Sequence, residues 1–171
     1  FFGYPLCLEG ERVIVGNNDC GPLIRRPELD FVITPNCGAC FSAMGGGGGD
    51  LGPTESVRLH GKRYLRECDQ KTHTYNKRLS KHVSGNWDLW TTEEETLAGL
   101  KREVAYTLVK QCSCWWFDMW GGFYDPPAVM KLLADSLALY RRWIAEPVEP
   151  VAETALIVDT GSIPYLNQDD P

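Results

Sequence analysis

Residues 61–73, GKRYLRECDQKTH, govern how this chain is interpreted, because they predict a short strand that ends in a carboxylate. Side chains alternate along a strand, so Arg63, Leu65 and Glu67 are predicted on one face. The opposite face then carries Lys62, Tyr64 and Arg66. A carboxylate at the C-terminal end of a strand, before a polar loop, is typical of an active site in a barrel or open sheet. A solvated edge strand with a charged end is the other interpretation of the same pattern.

The elements around this strand predict a parallel α/β sheet. A strand with β-branched and aromatic content is expected at 29–34. Thr92 and Glu95 form a capping box before a helix whose apolar residues recur at helical spacing. A buried strand follows at 112–118. From residue 29 the order of elements is strand, loop, strand, helix, strand, helix. This order is typical of parallel strands joined by crossover connections.

The strand at 112–118 repeats the pattern of the first, because it also ends in a carboxylate, Asp118. Alternation predicts Cys112, Cys114, Trp116 and Asp118 on one face. Two successive strands that end in carboxylates favour a site at the C-terminal edge of the sheet, where (β/α)8 barrels keep their chemistry.

The last helix is expected to start at 125–127 and to run to about residue 145, with Asp125 as its cap and proline in its first turn. Its predicted apolar stripe contains Leu133, Leu137, Tyr140 and Ile144. The proline-rich residues 147–150 indicate a stiff linker, after which a new strand is expected at 155–158. The linker therefore predicts a domain boundary.

Five consecutive glycines, Gly45–Gly49, raise the possibility of a phosphate-binding loop. Such a loop needs Gly-Lys-Ser/Thr at the start of a helix, whereas Asp50 follows here and would repel phosphate. The run is interpreted instead as a mobile loop at the mouth of a site.

Composition excludes several classes of function. The chain has 171 residues, 43% of them hydrophobic, enough for one domain with a core. Its net charge is −6, and no basic cluster interleaves with aromatics, which argues against nucleic acid as a partner. No apolar run approaches the roughly 18 residues that a membrane span needs. The sequence opens inside an apolar run and stops shortly after another, so the chain is expected to be part of a longer protein.

The seven cysteines predict packed, reduced thiols. Their number is odd and the chain is not small, which argues against a disulfide framework and favours the cytoplasm. Cys37 and Cys40 have C-x-x-C spacing, but no second pair completes a zinc site. A cysteine-based metal or redox protein stays open as an interpretation that zinc analysis would settle.

Four segments carry a resemblance to a known family: DFVITP at 30–35, ESVRLHGK at 55–62, E-x-D-x-K-T-H at 67–73 and WWFDMWGGFYD at 115–125. Together they resemble glycoside hydrolase family 42-like proteins, the β-galactosidase-type members of the clan A barrels. The likeness is spread in order over residues 1–145, and the tryptophan block is its most specific part.

The resemblance implies an α/β fold built as the C-terminal half of a (β/α)8 TIM barrel, strands 5 to 8, over residues 1–146. Residues 147–150 would be the linker. Residues 151–171 would begin the flavodoxin-like α/β domain that mediates trimerisation in this family. A homo-oligomer, most simply a trimer, is therefore expected for the full-length protein.

The resemblance also implies roles for residues. Glu67 would be the nucleophile of a retaining glycoside hydrolase that acts on β-galactosides or related glycans. Its acid/base partner, a Glu at the end of strand 4, would lie upstream of Phe1, so these residues alone would be inactive. No metal or other cofactor is implied, and the partner would be a carbohydrate. The substrate-binding residues would be Asp69, His73, Trp116, Asp118 and Trp120.

Two other functions remain open at this point. A related barrel could hold glycans through Trp116 and Trp120 without cleaving them. Asp159-Thr160-Gly161-Ser162 reproduces the signature of aspartic proteases, but such enzymes need two carboxylates that share a proton, and only one copy is present.

Overall fold

Three strands and four helices make up the described part of the chain. The computed structural model describes residues 20–35, 43–46, 49–74, 90–118, 121–146, 148–157, 159 and 162. In chain order the elements are α1 (Gly21–Ile24), β1 (Phe31–Pro35), α2 (Thr54–Leu59), β2 (Arg63–Cys68), α3 (Glu93–Val109), β3 (Ser113–Trp116) and α4 (Pro127–Trp143).

The strands form one sheet in the order β1-β2-β3, and both neighbouring pairs are parallel. The predicted parallel arrangement is therefore confirmed for these strands. The register pairs Glu67 of β2 with Pro35 of β1 and with Trp115 of β3. Since paired residues point to the same side of a sheet, these three side chains share one face.

The two faces of the sheet differ in cover. One face packs against the helices and buries Val32, Thr34, Tyr64, Arg66 and Cys68. The opposite face, which we call the open face, carries Phe31, Ile33, Leu65, Glu67 and Trp115. Phe31 is 43% exposed and Trp115 38% exposed. The sidedness predicted for β2 from alternation is confirmed.

Two apolar clusters lie between the sheet and the helices. The first joins α1 and α2 to β1 and β2, and contains Cys20, Ile24, Val32, Val57, Tyr64 and Cys112. The second joins α3 and α4 and contains Trp90, Leu100, Phe123, Tyr124 and Val129, with Trp116 packed against it. The second cluster therefore fixes the segments that follow β2 and β3.

Helix α3 begins with the capping box that the sequence predicts. The hydroxyl of Thr92 accepts a hydrogen bond from the Glu95 amide at 3.2 Å, and the Glu95 carboxylate accepts one from the Thr92 amide at 3.3 Å. Farther along, Gly99 lies directly under the indole of Trp90, since a Cβ there would be 2.2 Å from the ring. Only glycine allows this close approach.

Several local predictions are wrong. Residues 54–59, expected in a loop, form α2. The N-cap of α4 is Pro126, with no side-chain cap hydrogen bond, so Asp125 does not cap this helix. Two positions of its predicted stripe, Leu137 and Ile144, are exposed, and Val129 and Ser136 are the buried positions of the helix instead.

The strand expected at 155–158 is not present at residues 155–157, which are the part of it that the structure describes. Residues 148–157 contain no helix or strand. The side chains of Val151, Leu156 and Ile157 are exposed. A lone strand is not stable without a neighbour to pair with, and no described strand pairs with this segment.

The glycine segment after β1 lies on the helix-covered side of the sheet. Arg102 of α3 donates to the carbonyls of Ala43 and Gly46 at 2.9 and 3.0 Å. Arg66 of β2 donates to the carbonyl of Gly49 at 3.0 Å. The described parts of this segment are therefore tied to α3 and β2.

A buried arginine connects β2 to this segment and to α3. Arg66 is fully buried, and its guanidinium contacts the Asp50 carboxylate at 3.1 Å and the Glu103 carboxylate at 2.7 Å. The ring of Tyr106 lies 4.3 Å from the guanidinium carbon, close enough for a cation–π contact. Burial raises the pKa of Asp50, while the Arg66 charge opposes that rise. We call Arg66, Asp50 and Glu103 the buried charge cluster.

Replacement of one carboxylate in this cluster should destabilise the protein strongly. We expect Glu103→Gln to lower the free energy of unfolding by about 3 kcal/mol, because it removes a buried charge that compensates Arg66. Urea unfolding measures the change. Glu94→Gln makes the same substitution at an exposed position of α3 and should cost only a small fraction of this. Equal losses in the two variants would contradict a structural role for the cluster.

Candidate active site

Glu67 lies near the C-terminal end of the central strand and points to the open face. It is the fifth residue of β2, and its residue surface is only 6% exposed. Beside it on β3 is Trp115, whose ring is 5.0 Å from that of Phe117, with the two planes tilted by 50°. A carboxylate and a partly exposed aromatic surface therefore meet at this edge of the sheet.

The environment of Glu67 favours its protonated form. Burial, and to a smaller extent the neighbouring Asp69 carboxylate, raises the pKa of Glu67 to about 7. Neither a cation nor a hydrogen-bond donor in the described part of the chain offsets this rise. A carboxyl with such a pKa can exchange protons near neutral pH, and as a nucleophile it needs partial ionisation or an added positive charge nearby.

Asp118 closes the turn that follows β3. One carboxylate oxygen accepts from the Gly122 amide at 2.9 Å and the other accepts from the Phe123 amide at 3.1 Å. Gly121 and Gly122 adopt φ values of 79° and 84°, which side chains with a Cβ rarely tolerate. Both carboxylate oxygens of Asp118 therefore hold backbone in place, although each retains a further lone pair.

The loops after β2 and β3 are joined by hydrogen bonds. The Tyr124 hydroxyl lies 3.1 Å from the carbonyl of Cys68 and 3.2 Å from that of Gln70. The Phe117 amide donates to the Cys68 carbonyl at 2.8 Å, and the Thr72 hydroxyl donates to the Phe123 carbonyl. These bonds fix the backbone on the C-terminal side of Glu67.

The two neighbouring tryptophans of β3 lie on opposite faces of the sheet. Trp116 packs on the helix-covered side, with its ring 5.8 Å from that of Tyr124. It does not share a face with Glu67, so the aromatic surface beside that carboxylate belongs to Trp115 instead. This arrangement follows from the register, because Glu67 is opposite Trp115 and Cys68 is opposite Trp116.

The remaining residues expected at the site are placed as follows. Asp69 is exposed directly after β2. His73 is half-buried, and its backbone amide and ring Nδ1 both contact the Thr96 hydroxyl, at 3.0 and 2.9 Å. It therefore anchors the loop after β2 to the first turns of α3. Trp120 lies outside the described residues.

Comparisons with protein-family models, with curated proteins and with solved structures found no match to this chain. The site is therefore interpreted from its own geometry. Within the described ranges, no group of three or more His, Cys, Asp or Glu side chains is placed to hold a metal ion. In the same ranges, no helix has the length and apolar character needed to cross a membrane. Cys37 and Cys40 lie outside these ranges.

Sequence reasoning located Glu67 but missed the groups around it. Tyr124 and Thr72 had no signal of their own, because their roles depend on contacts between two loops that are distant in sequence. Trp115 was missed because only the sheet register places it opposite Glu67, and the register cannot be read from the sequence.

The raised pKa of Glu67 predicts an unusual dependence of stability on pH. A carboxyl whose pKa rises from 4.5 unfolded to about 7 folded contributes stability below about pH 4.5 that is lost as the pH rises through 7. The wild type should therefore lose stability between pH 5 and pH 8, whereas Glu67→Gln should not. The free energy of unfolding of the variant, relative to the wild type, should rise by about 1 kcal/mol over this range, after allowance for solvent screening. Urea unfolding at both pH values measures this gain.

Glu55→Gln is the matched control for this experiment. Burial raises the pKa of Glu55, but the ion pair with Lys110 outweighs it, so the net pKa is lowered. The contribution of Glu55 to stability is therefore complete above about pH 5. The free energy of unfolding of Glu55→Gln, relative to the wild type, should not change from pH 5 to pH 8. A gain of the same size in both variants would contradict the assignment to Glu67.

Proposed function

We propose that this chain supplies the nucleophile half of a retaining glycoside hydrolase that acts on β-galactosides or related glycans, with Glu67 as the nucleophile. The observation that carries the proposal is the position of Glu67, at the C-terminal end of a central parallel strand and beside a partly exposed tryptophan on the open face. Parallel α/β sheets place their reactive groups at this edge.

In this mechanism the Glu67 carboxylate attacks the anomeric carbon while a second carboxyl protonates the departing oxygen. Water then releases the sugar from the glycosyl-enzyme. Retaining enzymes hold the two carboxyls about 5–5.5 Å apart. In the family that the chain resembles, the second carboxyl comes from an earlier strand, so we propose the activity for the protein that contains both.

The second carboxyl and its surroundings would also determine the ionisation of Glu67. Burial within the described structure raises the pKa of Glu67 to about 7. About half of the Glu67 side chains are therefore charged at neutral pH. A hydrogen-bond donor from the completing half would lower this pKa and favour the nucleophile.

Trp115 is the proposed floor of the sugar site. Sugar rings present C–H faces that pack on aromatic rings, and Trp115 lies on the same face as Glu67 with 38% of its surface exposed. Asp69 is the proposed hydroxyl acceptor at the end of the same strand. His73, Trp116 and Asp118 position these groups through the contacts described above.

The test is Glu67→Gln in the full-length protein. Turnover of an aryl β-galactoside should fall on the order of 10⁴-fold, because the amide cannot form the glycosyl-enzyme. Glu55→Gln, the same substitution on α2, should retain normal turnover. In Glu67→Ala, added azide should restore product formation with inverted configuration, since a small anion can occupy the vacated space.

Retained turnover in Glu67→Gln would overturn the assignment. A folded wild-type protein that binds galactosides with no turnover would instead support a glycan-binding relative of these hydrolases. One observation favours this second function: the buried Glu67 receives no compensating donor from the described residues. A carboxyl that stays protonated can bind a sugar hydroxyl but cannot attack the anomeric carbon.

The open face is proposed as part of a barrel interior. Two of its apolar side chains, Phe31 and Trp115, are partly exposed, whereas Glu67 is almost fully buried. Further cover for the two exposed side chains would come from the remaining strands of a (β/α)8 barrel. The exposed Val151, Leu156 and Ile157 would in the same way be covered by a flavodoxin-like domain, which would also mediate trimerisation.

This proposal predicts that the isolated 171 residues self-associate through the open face. Phe31→Lys should reduce the associated fraction in sedimentation velocity and the binding of a hydrophobic dye, because it places a charge on that face. Leu59→Lys is the control, since Leu59 is 86% exposed on α2 and outside the open face. A wild-type chain that melts cooperatively as a soluble monomer would contradict the half-barrel.

A further inference from the structure

A second row of side chains lies beyond Glu67 on the open face. Phe117 directly follows β3, and its amide donates to the Cys68 carbonyl at 2.8 Å, so the backbone keeps its contact with β2 for one more residue. Side chains alternate along a strand, which directs Phe117 to the same side as Trp115. The rings agree with this placement, because their centres are 5.0 Å apart. Phe117 also belongs to neither of the apolar clusters described on the helix side.

Asp69 occupies the corresponding position after β2. It lies two residues beyond Glu67 and is exposed, and its carboxylate is close enough to Glu67 for the two charges to interact. Two residues along a strand span about 6.6 Å, so Asp69 and Phe117 lie one layer farther toward the loops than Glu67 and Trp115. We call Glu67 and Trp115 the inner row, and Asp69 and Phe117 the outer row.

Further rows of side chains lie on the other side of the inner row. The sheet register aligns Ile33 of β1 with Leu65 of β2 and Ser113 of β3, and it aligns Phe31 with Arg63 in the row after that. Ile33 and Leu65 are half-buried. In a barrel, layers of such side chains fill the interior beneath the active site. A substrate that reaches the inner row would therefore approach from the loops, past the outer row.

The proposed reaction divides its substrate between the two rows. Glu67 attacks the anomeric carbon, so the sugar that is transferred would lie at the inner row. The leaving group is joined to that carbon and would extend toward the loops, because side chains occupy the opposite direction. The outer row offers this group an aromatic ring, which packs on the C–H faces of sugars, and a carboxylate, which accepts hydrogen bonds from hydroxyls. This combination suits a leaving group that is itself a sugar.

We propose, on the basis of the proposed function, that Phe117 determines specificity for the leaving group. The substrates of this site are then β-galactosyl disaccharides or longer glycans, whose second sugar ring packs on Phe117. Phe117 does not contact the reacting atoms, so it acts on the step in which the leaving group departs. It has no effect on the later step, in which water releases the transferred sugar from Glu67.

The test compares two substrates in the full-length protein. Phe117→Leu keeps an apolar side chain against Trp115 but removes the flat ring. It should lower kcat/KM about tenfold for the β-galactosyl disaccharide lactose. For methyl β-galactoside, whose leaving group has no ring, kcat/KM should change by less than about twofold. Phe31→Leu is the matched control, since it makes the same substitution on the open face at the other end of the sheet, and it should leave the ratio of the two constants unchanged.

A third substrate separates the two chemical steps. The leaving group of dinitrophenyl β-galactoside departs readily, so kcat reports the release of the transferred sugar by water. Phe117→Leu should leave this kcat unchanged, whereas a structural role for Phe117 would lower it. Phe117→Tyr, which retains the ring, should behave as the wild type with all three substrates. Phe117→Met replaces Phe117→Leu if the latter does not fold, because a flexible Met side chain fills the space without a ring.

Equal losses with lactose and methyl β-galactoside, or no loss with lactose, would overturn the role of Phe117 and leave the hydrolase intact. A wild type without turnover on any of the three substrates would instead overturn the hydrolase. Calorimetry then tests Phe117 by binding: lactose should bind about tenfold more tightly than methyl β-galactoside, and Phe117→Leu should abolish this difference. An unchanged difference in the variant, or a folded wild type that binds neither sugar, would overturn the role of Phe117 as well.

Discussion

The buried charge of Arg66 organises the fold of this chain. A guanidinium on the central strand has no access to water, so it requires carboxylates at contact distance, and these come from Asp50 and from Glu103 of α3. Because its partners lie before and after β2 in the chain, the buried charge cluster fixes the glycine segment and α3 against the sheet together. This side of the sheet is consequently closed by the helices, and Glu67 lies on the opposite, open face.

The alternation of β2 sends a structural residue and the proposed nucleophile to opposite faces of one strand. Arg66 points to the helices and organises the core, whereas its neighbour Glu67 points to the open face. The Tyr124 and Thr72 hydrogen bonds then fix the backbone just beyond Glu67. The proposed site therefore depends on contacts made from both faces of a single three-stranded sheet.

The sequence predicted those parts of the fold that depend on neighbours along the chain. Alternation gave the faces of β2, helical periodicity gave α3, and the Thr92–Glu95 pattern gave its cap. Prediction failed where a local pattern competed with packing. Asp125 resembles a helix cap but does not act as one, and Leu137 fits an apolar stripe but is exposed. Likewise, the glycine run resembled a mobile loop, yet two arginines bind its described parts.

For the candidate site, the residue pattern alone establishes that a carboxylate, Glu67, ends a strand and points away from Tyr64 and Arg66. Three-dimensional packing was needed to show that Trp115 rather than Trp116 lies beside it, and that Tyr124 and Thr72 hold the backbone that follows it. The physical reason is the same in both cases. Alternation depends on one strand, but register, burial and hydrogen-bond donors depend on which distant segments pack together, and side-chain contacts set that packing.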